Sequence, residues 1–192
     1  MRLRESGMPD EGYWESLLEV ELILDCLGID GRIRDAVELG CGYGTFSIPV
    51  ARRLLGTLYT VDVDPAMVAR TRARAEAQSV TNLVCKALDV MAEGFGVPPA
   101  SMDACLLFNI LHCEEPVRLL RLAGDTLRDG GAAFVIHWRY DPATPRGPSM
   151  DIRPRPEQII AWALETGLFT HDGKVIDLPP WHYGLRLARA PR

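Results

Sequence analysis

A glycine-rich segment is the strongest candidate for a binding site. Gly40, Gly42 and Gly44 follow an apolar stretch that ends at Leu39, and glycine lets a backbone adopt positive φ and pass close to a ligand. Asp62 ends the next apolar stretch, where a carboxylate can accept hydrogen bonds from both hydroxyls of a ribose. A glycine turn alone is weak evidence. A strand before it, a helix after it and an acid at the end of the next strand together predict a cofactor site.

The elements that must position these residues alternate along the chain. Apolar runs typical of strands alternate with helical patterns, which predicts a parallel sheet with helices on both faces. The predicted strands are Asp35–Leu39, Leu58–Val61, Leu83–Leu88, Met102–Phe108 and Ala132–Ile136, followed by two extended runs near Lys174–Leu178 and Trp181–Ala188. Those two runs are separated only by Pro179-Pro180, and so short a link predicts an antiparallel hairpin.

Start and stop signals place the helices. A first helix is predicted from Tyr13 to Leu27, ended by Gly28. The second runs from the glycine turn through Leu55, with Pro49 near its first turn. The third predicted helix begins at the Asp64-Pro65 cap. The fourth begins at Glu114-Glu115-Pro116 and stops at Asp129-Gly130-Gly131. The last runs from Pro156 to Thr166.

Two segments resemble the class I S-adenosylmethionine-dependent methyltransferases: Val37-Glu-Leu-Gly-Cys-Gly-Tyr-Gly44 and Val61-Asp-Val-Asp-Pro65. The resemblance covers residues 36–136 and includes Leu88-Asp89, Phe108-Asn-Ile-Leu-His112 and Leu127-Arg-Asp-Gly-Gly131. It implies an α/β, doubly wound, Rossmann-like fold whose mostly parallel seven-stranded sheet has an antiparallel last strand. That arrangement agrees with the hairpin predicted at the end of the chain.

The resemblance also implies a role for each matching residue, with S-adenosyl-L-methionine as the cofactor. The glycine turn would pass along the methionine part, Asp62 would hold the ribose, and Asp89 with the neighbouring backbone would meet the adenine amino group. Glu38 would orient the amino group of the cofactor, and Asn109 would approach it from the opposite strand end. The implied cofactor contacts are Glu38, Gly40, Cys41, Gly42, Gly44, Asp62, Val63, Leu88, Asp89 and Asn109. Some alternatives stay open: Gly42 and Gly44 could serve only the turn, and Asp89 could be a turn or cap residue.

Two other functions compete with methyl transfer. NAD sites share the layout of strand, glycine turn, helix and acid, but this chain has G-x-G-x-G where the dinucleotide fingerprint has G-x-G-x-x-G, and Thr45 replaces Gly or Ala. A non-catalytic cofactor-binding or scaffolding domain is the second alternative. The sequence favours the methyltransferase over an NAD-dependent oxidoreductase.

The acceptor site is predicted near the ends of the fourth and fifth strands. His112 follows the fourth strand and is the candidate catalytic base, with a capping or packing role as the alternative. Trp138 and Tyr140 follow the fifth strand and are candidate acceptor contacts, or core and loop anchors. Tyr13, with Trp14, is a candidate lid residue, or packs on the sheet. Arg153 lies in a basic loop that suits an anionic acceptor, although a solvated loop explains the same charges.

Composition limits the remaining possibilities. The 192 residues fit one methyltransferase domain, with an N-terminal helical segment (1–30), a cofactor-binding core (31–137) and an acceptor loop, helix and hairpin (138–192). The net charge of -5 argues against nucleic acid and anionic membranes as partners, and the chain lacks the Asn-Pro-Pro-Tyr or Asp-Pro-Pro-Tyr run of amino methylation on DNA bases. Five scattered cysteines without a C-x-x-C pair predict neither disulfides nor a metal site.

Partners and location follow from the same data. No secretory signal and no apolar run of about 18 residues is visible, which predicts a cytoplasmic protein. The compact chain predicts a small-molecule acceptor. A homodimer is left open by the sequence.

Overall fold

The computed structural model describes residues 9–191 and shows a sheet with helices packed on both faces. Within this part of the chain the strands are β1 Ala36–Leu39, β2 Leu58–Asp62, β3 Leu83–Ala87, β4 Met102–Phe108, β5 Leu127–Trp138, β6 Phe169–Thr170, β7 Ile176–Leu178 and β8 His182–Arg189. The helices are α1 Glu11–Ser16, α2 Val20–Leu27, α3 Ser47–Arg53, α4 Pro65–Ala77, α5 Val90–Glu93, α6 Pro116–Thr126 and α7 Pro156–Glu165. None of these described helices is long and apolar enough to cross a membrane.

The strand order is β3-β2-β1-β4-β5-β8-β6, with β7 also paired to β8. Strands β3, β2, β1, β4 and β5 are parallel, and β8 runs antiparallel to β5. The chain builds outward from β1 on one side and from β4 on the other, so the order reverses between these two strands. The predicted doubly wound, mostly parallel fold with an antiparallel end is confirmed.

The described sheet has eight strands where seven were predicted. β6 and β7 pair one after the other with the same side of β8, so they are two pieces of one edge strand. Residues 171–175 separate the pieces. The predicted hairpin is confirmed, because β7 and β8 pair antiparallel with Leu178 opposite His182.

The first predicted helix, Tyr13 to Leu27, is wrong in one respect: the chain breaks it into α1 and α2. Leu17 and Leu18 lie at the break, and both are buried in the core between the helices and the sheet. Neighbouring residues of a continuous helix point about 100° apart, so a break allows both side chains to face the core. α2 ends as predicted, at Gly28 with φ 71°.

The predicted stop of α6 at Asp129-Gly130-Gly131 is also wrong. α6 ends at Thr126 and β5 starts at once, with Leu127 opposite Met102. Gly131 lies where the β4–β5 register shifts, and a Cβ there would be 3.0–3.1 Å from carbonyl oxygens of residues 102, 103 and 128. These glycines therefore serve an irregular strand pairing.

Strand β4 lies at the centre of the core. Its side chains alternate between two apolar clusters: Cys105 and Leu107 face one, and Ala104 and Leu106 face the other. A strand that is covered on both faces has a nearly continuous run of apolar residues, and the sequence of β4 has such a run. The two clusters hold the carboxyl end of β4 in a fixed place.

Candidate active site

A cavity of about 520 Å³ lies at the carboxyl ends of the parallel strands, where the strand order reverses between β1 and β4. Open α/β sheets bind ligands at this position. The β1–β3 half of the cavity is lined by Pro9, Glu38, Leu39, Gly40, Cys41, Gly42, Tyr43, Thr45, Phe46, Asp62, Val63, Asp64, Met67, Leu88, Asp89 and Val90. The β4–β5 half is lined by Trp14, Phe108, Asn109, Ile110, His112, Trp138, Arg146, Gly147 and Pro148.

The glycine turn needs its glycines for two reasons. Gly40, Gly42 and Gly44 all have positive φ, at 86°, 50° and 78°, which side chains other than glycine rarely adopt. Gly40 and Gly42 line the cavity, whereas Gly44 lies behind them, where a Cβ would be 3.2 Å from Cγ2 of Thr71. Thr71 Oγ1 donates a 2.9 Å hydrogen bond to the carbonyl of Gly42. α4 therefore supports the turn from outside the cavity.

Asp62 ties the end of β2 to the glycine turn. Its Oδ2 accepts a 3.1 Å hydrogen bond from the backbone N–H of Gly42, and its Oδ1 accepts one of 3.0 Å from that of Asp64. The sequence offered no structural reason for this carboxylate, and these contacts supply one. A carboxylate has about four acceptor positions, so Asp62 keeps capacity for a ligand in the cavity.

Glu38 is a buried carboxylate in the cavity wall. Its side chain accepts hydrogen bonds from Ser47 Oγ at 2.5 Å and Thr60 Oγ1 at 2.8 Å, and the residue is only 2% exposed. Burial raises the pKa of Glu38 to about 7, and the nearby charge of Asp62 adds to this rise. Burial destabilises the ionised form of the Glu38 carboxylate, and a ligand cation beside it would stabilise that form. The site therefore favours a ligand that brings a positive charge next to Glu38.

The raised pKa of Glu38 should make the free energy of unfolding depend on pH. Unfolded Glu38 loses its proton near its ordinary value of 4.5, whereas folded Glu38 keeps it to about pH 7. The unfolded state therefore binds fewer protons between these values, and stability falls as pH rises across this window, by on the order of 3 kcal/mol. Denaturant unfolding of the wild type and of Glu38→Gln, each followed from pH 4.5 to 8, measures the loss. The difference between the two proteins isolates Glu38, and parallel pH curves would contradict the prediction.

Three predicted contacts at the ends of β2 and β3 line the cavity together: Val63, Leu88 and Asp89. Asp89 Oδ1 also accepts a 3.0 Å hydrogen bond from the N–H of Met91 and caps α5. The structure thus gives Asp89 the capping role that the sequence left open, and places it on the cavity wall as well.

Two buried polar atoms in the wall lack a hydrogen-bond partner among the described residues: Thr45 Oγ1 and Asn109 Oδ1. Asn109 also has a positive φ of 54°, and its Nδ2 lies 3.4 Å from Nε2 of His182. Buried polar groups are normally satisfied. Both atoms are therefore suited to meet a polar ligand group.

Three histidines cluster beside Asn109. His112 lines the cavity and is 6% exposed, while His137 and His182 lie behind the wall and are fully buried. The rings of His112 and His137 meet edge to face at 5.5 Å. Burial lowers the pKa of His182 to about 3, and burial, with the neighbouring His112, lowers the pKa of His137 well below its usual value. His137 and His182 are therefore neutral at physiological pH.

Tryptophan rings close the β4–β5 half of the cavity. Trp138 packs on His182, with ring centres 4.2 Å apart, and meets the edge of Trp14 at 6.3 Å. Trp14 belongs to α1, whose Glu11 and Glu15 pair with Arg74 on α4 at 3.0 and 2.6 Å. These ion pairs hold α1 beside the cavity.

Arg153 lies outside the described cavity wall, in contrast to its predicted contact with the acceptor. It is 6% exposed, and its guanidinium donates hydrogen bonds to the carbonyls of Arg139 and Asp141 at 3.1 Å and of Pro148 at 2.7 Å. It also bonds to Thr144 Oγ1. Arg153 is thus the internal support of the segment that ends in Gly147 and Pro148.

Tyr13 and Tyr140 also lie outside the described wall. Tyr13 is 44% exposed on α1, so the lid position falls to its neighbour Trp14. Tyr140 is 37% exposed and stacks under the guanidinium of Arg155 at 3.6 Å. Both side chains sit on the outer side of the elements that carry the cavity residues.

Sequence reasoning missed several wall residues. Thr45 directly follows the glycine turn and Phe108 directly precedes Asn109, so position alone could have identified them. Gly147 and Pro148 had no such signal, because their place depends on the contacts of Arg153. His182, behind the wall, was missed as well, because it reaches Trp138 only through the antiparallel pairing of β8 with β5. Among residues 9–191, no group of three His, Cys, Asp or Glu side chains is arranged to hold a metal ion.

Comparison with known proteins identifies the class. A methyltransferase domain family model matches residues 36–131, half of the chain, and the chain belongs to that family. The prediction of an S-adenosylmethionine-dependent methyltransferase is therefore confirmed. A comparison with curated protein sequences gave no match.

Solved structures share the fold. A SAM-dependent methyltransferase from Aquifex aeolicus aligns with a TM-score of 0.81 at 16% identity, over 94% of both chains. The N-methyltransferase NodS from Bradyrhizobium japonicum, in complex with S-adenosyl-L-homocysteine, aligns at 0.68 and 15% identity over 95% of this chain and 89% of NodS. The 4+2 cyclase SpnF aligns at 0.73 and 17% identity over 98% of this chain and 85% of SpnF. At these identities the likeness shows the fold alone.

Proposed function

We propose that this protein methylates a small organic acceptor, with S-adenosylmethionine in the β1–β3 half of the cavity and the acceptor in the β4–β5 half. The observation that carries the proposal is the division of the cavity. One half combines a glycine turn with carboxylates, and the other combines aromatic rings with an imidazole. α1 and the 146–148 segment cover the second half, which suits a small molecule rather than a macromolecular chain.

The β1–β3 half fits the cofactor. Gly40 and Gly42 leave the space that a side chain would fill, and Asp62 keeps acceptor capacity at the strand end where a ribose would lie. Glu38 favours a cation such as the ammonium of the methionine part, and the unpartnered Thr45 Oγ1 is available to a polar group. When bound, S-adenosylmethionine supplies an electrophilic methyl group on a sulfonium.

The β4–β5 half has two tasks. Trp14, Trp138 and Pro148 exclude water and hold the acceptor in line with the methyl group, which accounts for much of the rate in a displacement. His112 takes the proton of the acceptor atom at an imidazole nitrogen. Asn109, between the halves, offers its unpartnered Oδ1 to a donor from either ligand.

Calorimetry with S-adenosylhomocysteine and with NAD tests the cofactor half. We expect the first to bind and the second not to bind. Gly40→Ala should weaken binding, because the new Cβ would lie on the cavity wall, 3.7 Å from Cδ1 of Ile110. The matched control is Gly130→Ala, which also replaces a glycine at φ 80° but has no atom within 4 Å of the new Cβ. NAD binding without a response to S-adenosylhomocysteine would overturn the proposal.

Asp62→Ala should weaken cofactor binding by about 1.5–3 kcal/mol, or roughly 10- to 150-fold. Both the ribose contact and the support of the glycine turn are lost. Asp62→Asn has one acceptor oxygen, which can still accept from the N–H of Gly42 but not also from that of Asp64, so a smaller loss of affinity than in Asp62→Ala would measure the support of the turn. Asp172→Ala is the control: it removes an aspartate that, like Asp62, accepts a hydrogen bond from the backbone N–H two residues further on, but that lies outside the described cavity wall, so affinity should stay unchanged. Unchanged affinity in Asp62→Ala would mean that the ribose is held elsewhere.

The 4+2 cyclase SpnF shares this fold, so activity has to be measured directly. Transfer of a labelled methyl group to a panel of metabolites is the readout that establishes methyl transfer. The single-domain organisation, a cytoplasmic location and a homodimer stay predictions.

A further inference from the structure

The β4–β5 half of the cavity has aromatic walls. Trp14 and Trp138 meet edge to face, and Phe108 packs on Phe46 with ring centres 4.9 Å apart. Aromatic pairs prefer edge-to-face or offset arrangements. A flat ring placed among these side chains therefore finds both edges and faces to contact.

The rings are fixed in place from behind. His182 lies against Trp138 at 4.2 Å, and the backbone of Gly147 passes so close that a Cβ would be 2.9 Å from Cγ of Trp138. Arg153 anchors the adjoining carbonyl of Pro148. Because these contacts restrict the rotation of the Trp138 ring, we expect this wall to discriminate between acceptors by their shape.

Charge is distributed unequally between the halves. The wall carboxylates Glu38, Asp62, Asp64 and Asp89 all belong to the β1–β3 half. Among the described residues of the β4–β5 half, the charged side chain is that of Arg146. The described part of this half therefore offers no carboxylate to a cationic acceptor.

We propose that the acceptor is a small planar aromatic compound that carries no positive charge. This inference rests on the proposed methyl transfer. On an acceptor with a hydroxyl group, the oxygen uses a lone pair to form the new bond to the methyl carbon, the bond from that carbon to sulfur breaks, and its electron pair stays on sulfur. The hydroxyl proton passes to the imidazole of His112.

Binding of matched probes tests the planar shape without the chemistry. 2-Naphthol and decahydro-2-naphthol share a skeleton, but only the first is flat. We expect 2-naphthol to bind about tenfold more tightly, measured by calorimetry on protein saturated with S-adenosylhomocysteine. Equal or tighter binding of decahydro-2-naphthol would overturn the proposal.

A second pair tests charge. 2-Naphthoate and 2-naphthylmethylammonium differ in sign on the same ring system, and we expect the cation to bind more weakly than either 2-naphthol or 2-naphthoate. Binding of the cation as tight as, or tighter than, that of 2-naphthol or of 2-naphthoate would overturn the charge assignment.

Variants locate the probe. Trp14→Leu should weaken 2-naphthol binding while leaving S-adenosylhomocysteine binding unchanged, and Trp14 is only partly buried, so the fold should tolerate the change. The matched control is Trp162→Leu on α7, away from this cavity, which should affect neither ligand. Weakening by the control alone would place the ring elsewhere. Failure of S-adenosylhomocysteine to bind at all would refute the proposed function instead, and the two failures are read from separate titrations.

Discussion

Replacing His112 with alanine should slow methyl transfer by about 10²- to 10⁴-fold, the usual contribution of a positioned general base. The reason is its position: His112 lines the β4–β5 half of the cavity and lies outside the cluster that would hold the cofactor. Single-turnover transfer to the acceptor identified with the metabolite panel measures the effect, and calorimetry with S-adenosylhomocysteine should show unchanged affinity. A loss in transfer alone indicates an interaction with the acceptor or in the transition state.

Two further readouts separate a base from a packing histidine. The pH–rate profile of the wild type should rise with deprotonation of the base, and this limb should disappear in His112→Ala. Added imidazole should restore part of the rate, because it supplies the missing proton acceptor. Transfer at the wild-type rate in the variant would show that His112 serves packing only.

Arg153→Ala should destabilise the protein by about 2–4 kcal/mol. The buried guanidinium bonds to carbonyls of the 139–148 segment, and its removal takes two donors from the carbonyl of Pro148 and one donor each from those of Arg139 and Asp141. Lysine cannot reproduce the planar fork of donors, so Arg153→Lys should recover only part of the loss. Denaturant unfolding and limited proteolysis of the segment measure both effects.

Arg155 provides the matched control for Arg153. It is an exposed arginine stacked on Tyr140, and Arg155→Ala should cost no more than about 1 kcal/mol. If Arg153→Ala were as stable as this control and yet transferred methyl groups poorly, Arg153 would contact the acceptor, as the sequence alone predicted.

Arg153 shows why the acceptor side was harder to predict than the cofactor side. Its basic loop indicated an anionic acceptor, because charge in a loop is normally exposed. Whether an arginine is buried depends on which carbonyls the folded loop turns toward it, and those lie 5 to 14 residues away in sequence. The lid shows the same limit: the sequence offered Tyr13 and Trp14 together as lid candidates, and only the docking of α1 against α4 decided that Trp14 faces the cavity.

The sequence by itself determined the parts whose causes are local: the apolar strands, the Asp64-Pro65 cap, the glycine turn and the acid at the end of β2. Positive φ, capping and strand burial depend on residues within a few positions of each other, so the amino-acid sequence alone is enough to predict them. Only the tertiary structure decided that Gly44 stands behind the turn, that Asp62 supports it, and that His182 and Gly147 hold Trp138 in place. These contacts join the glycine turn to α4 and β2, and they join β5 to β8 and to a loop. No local preference specifies which distant residues will meet.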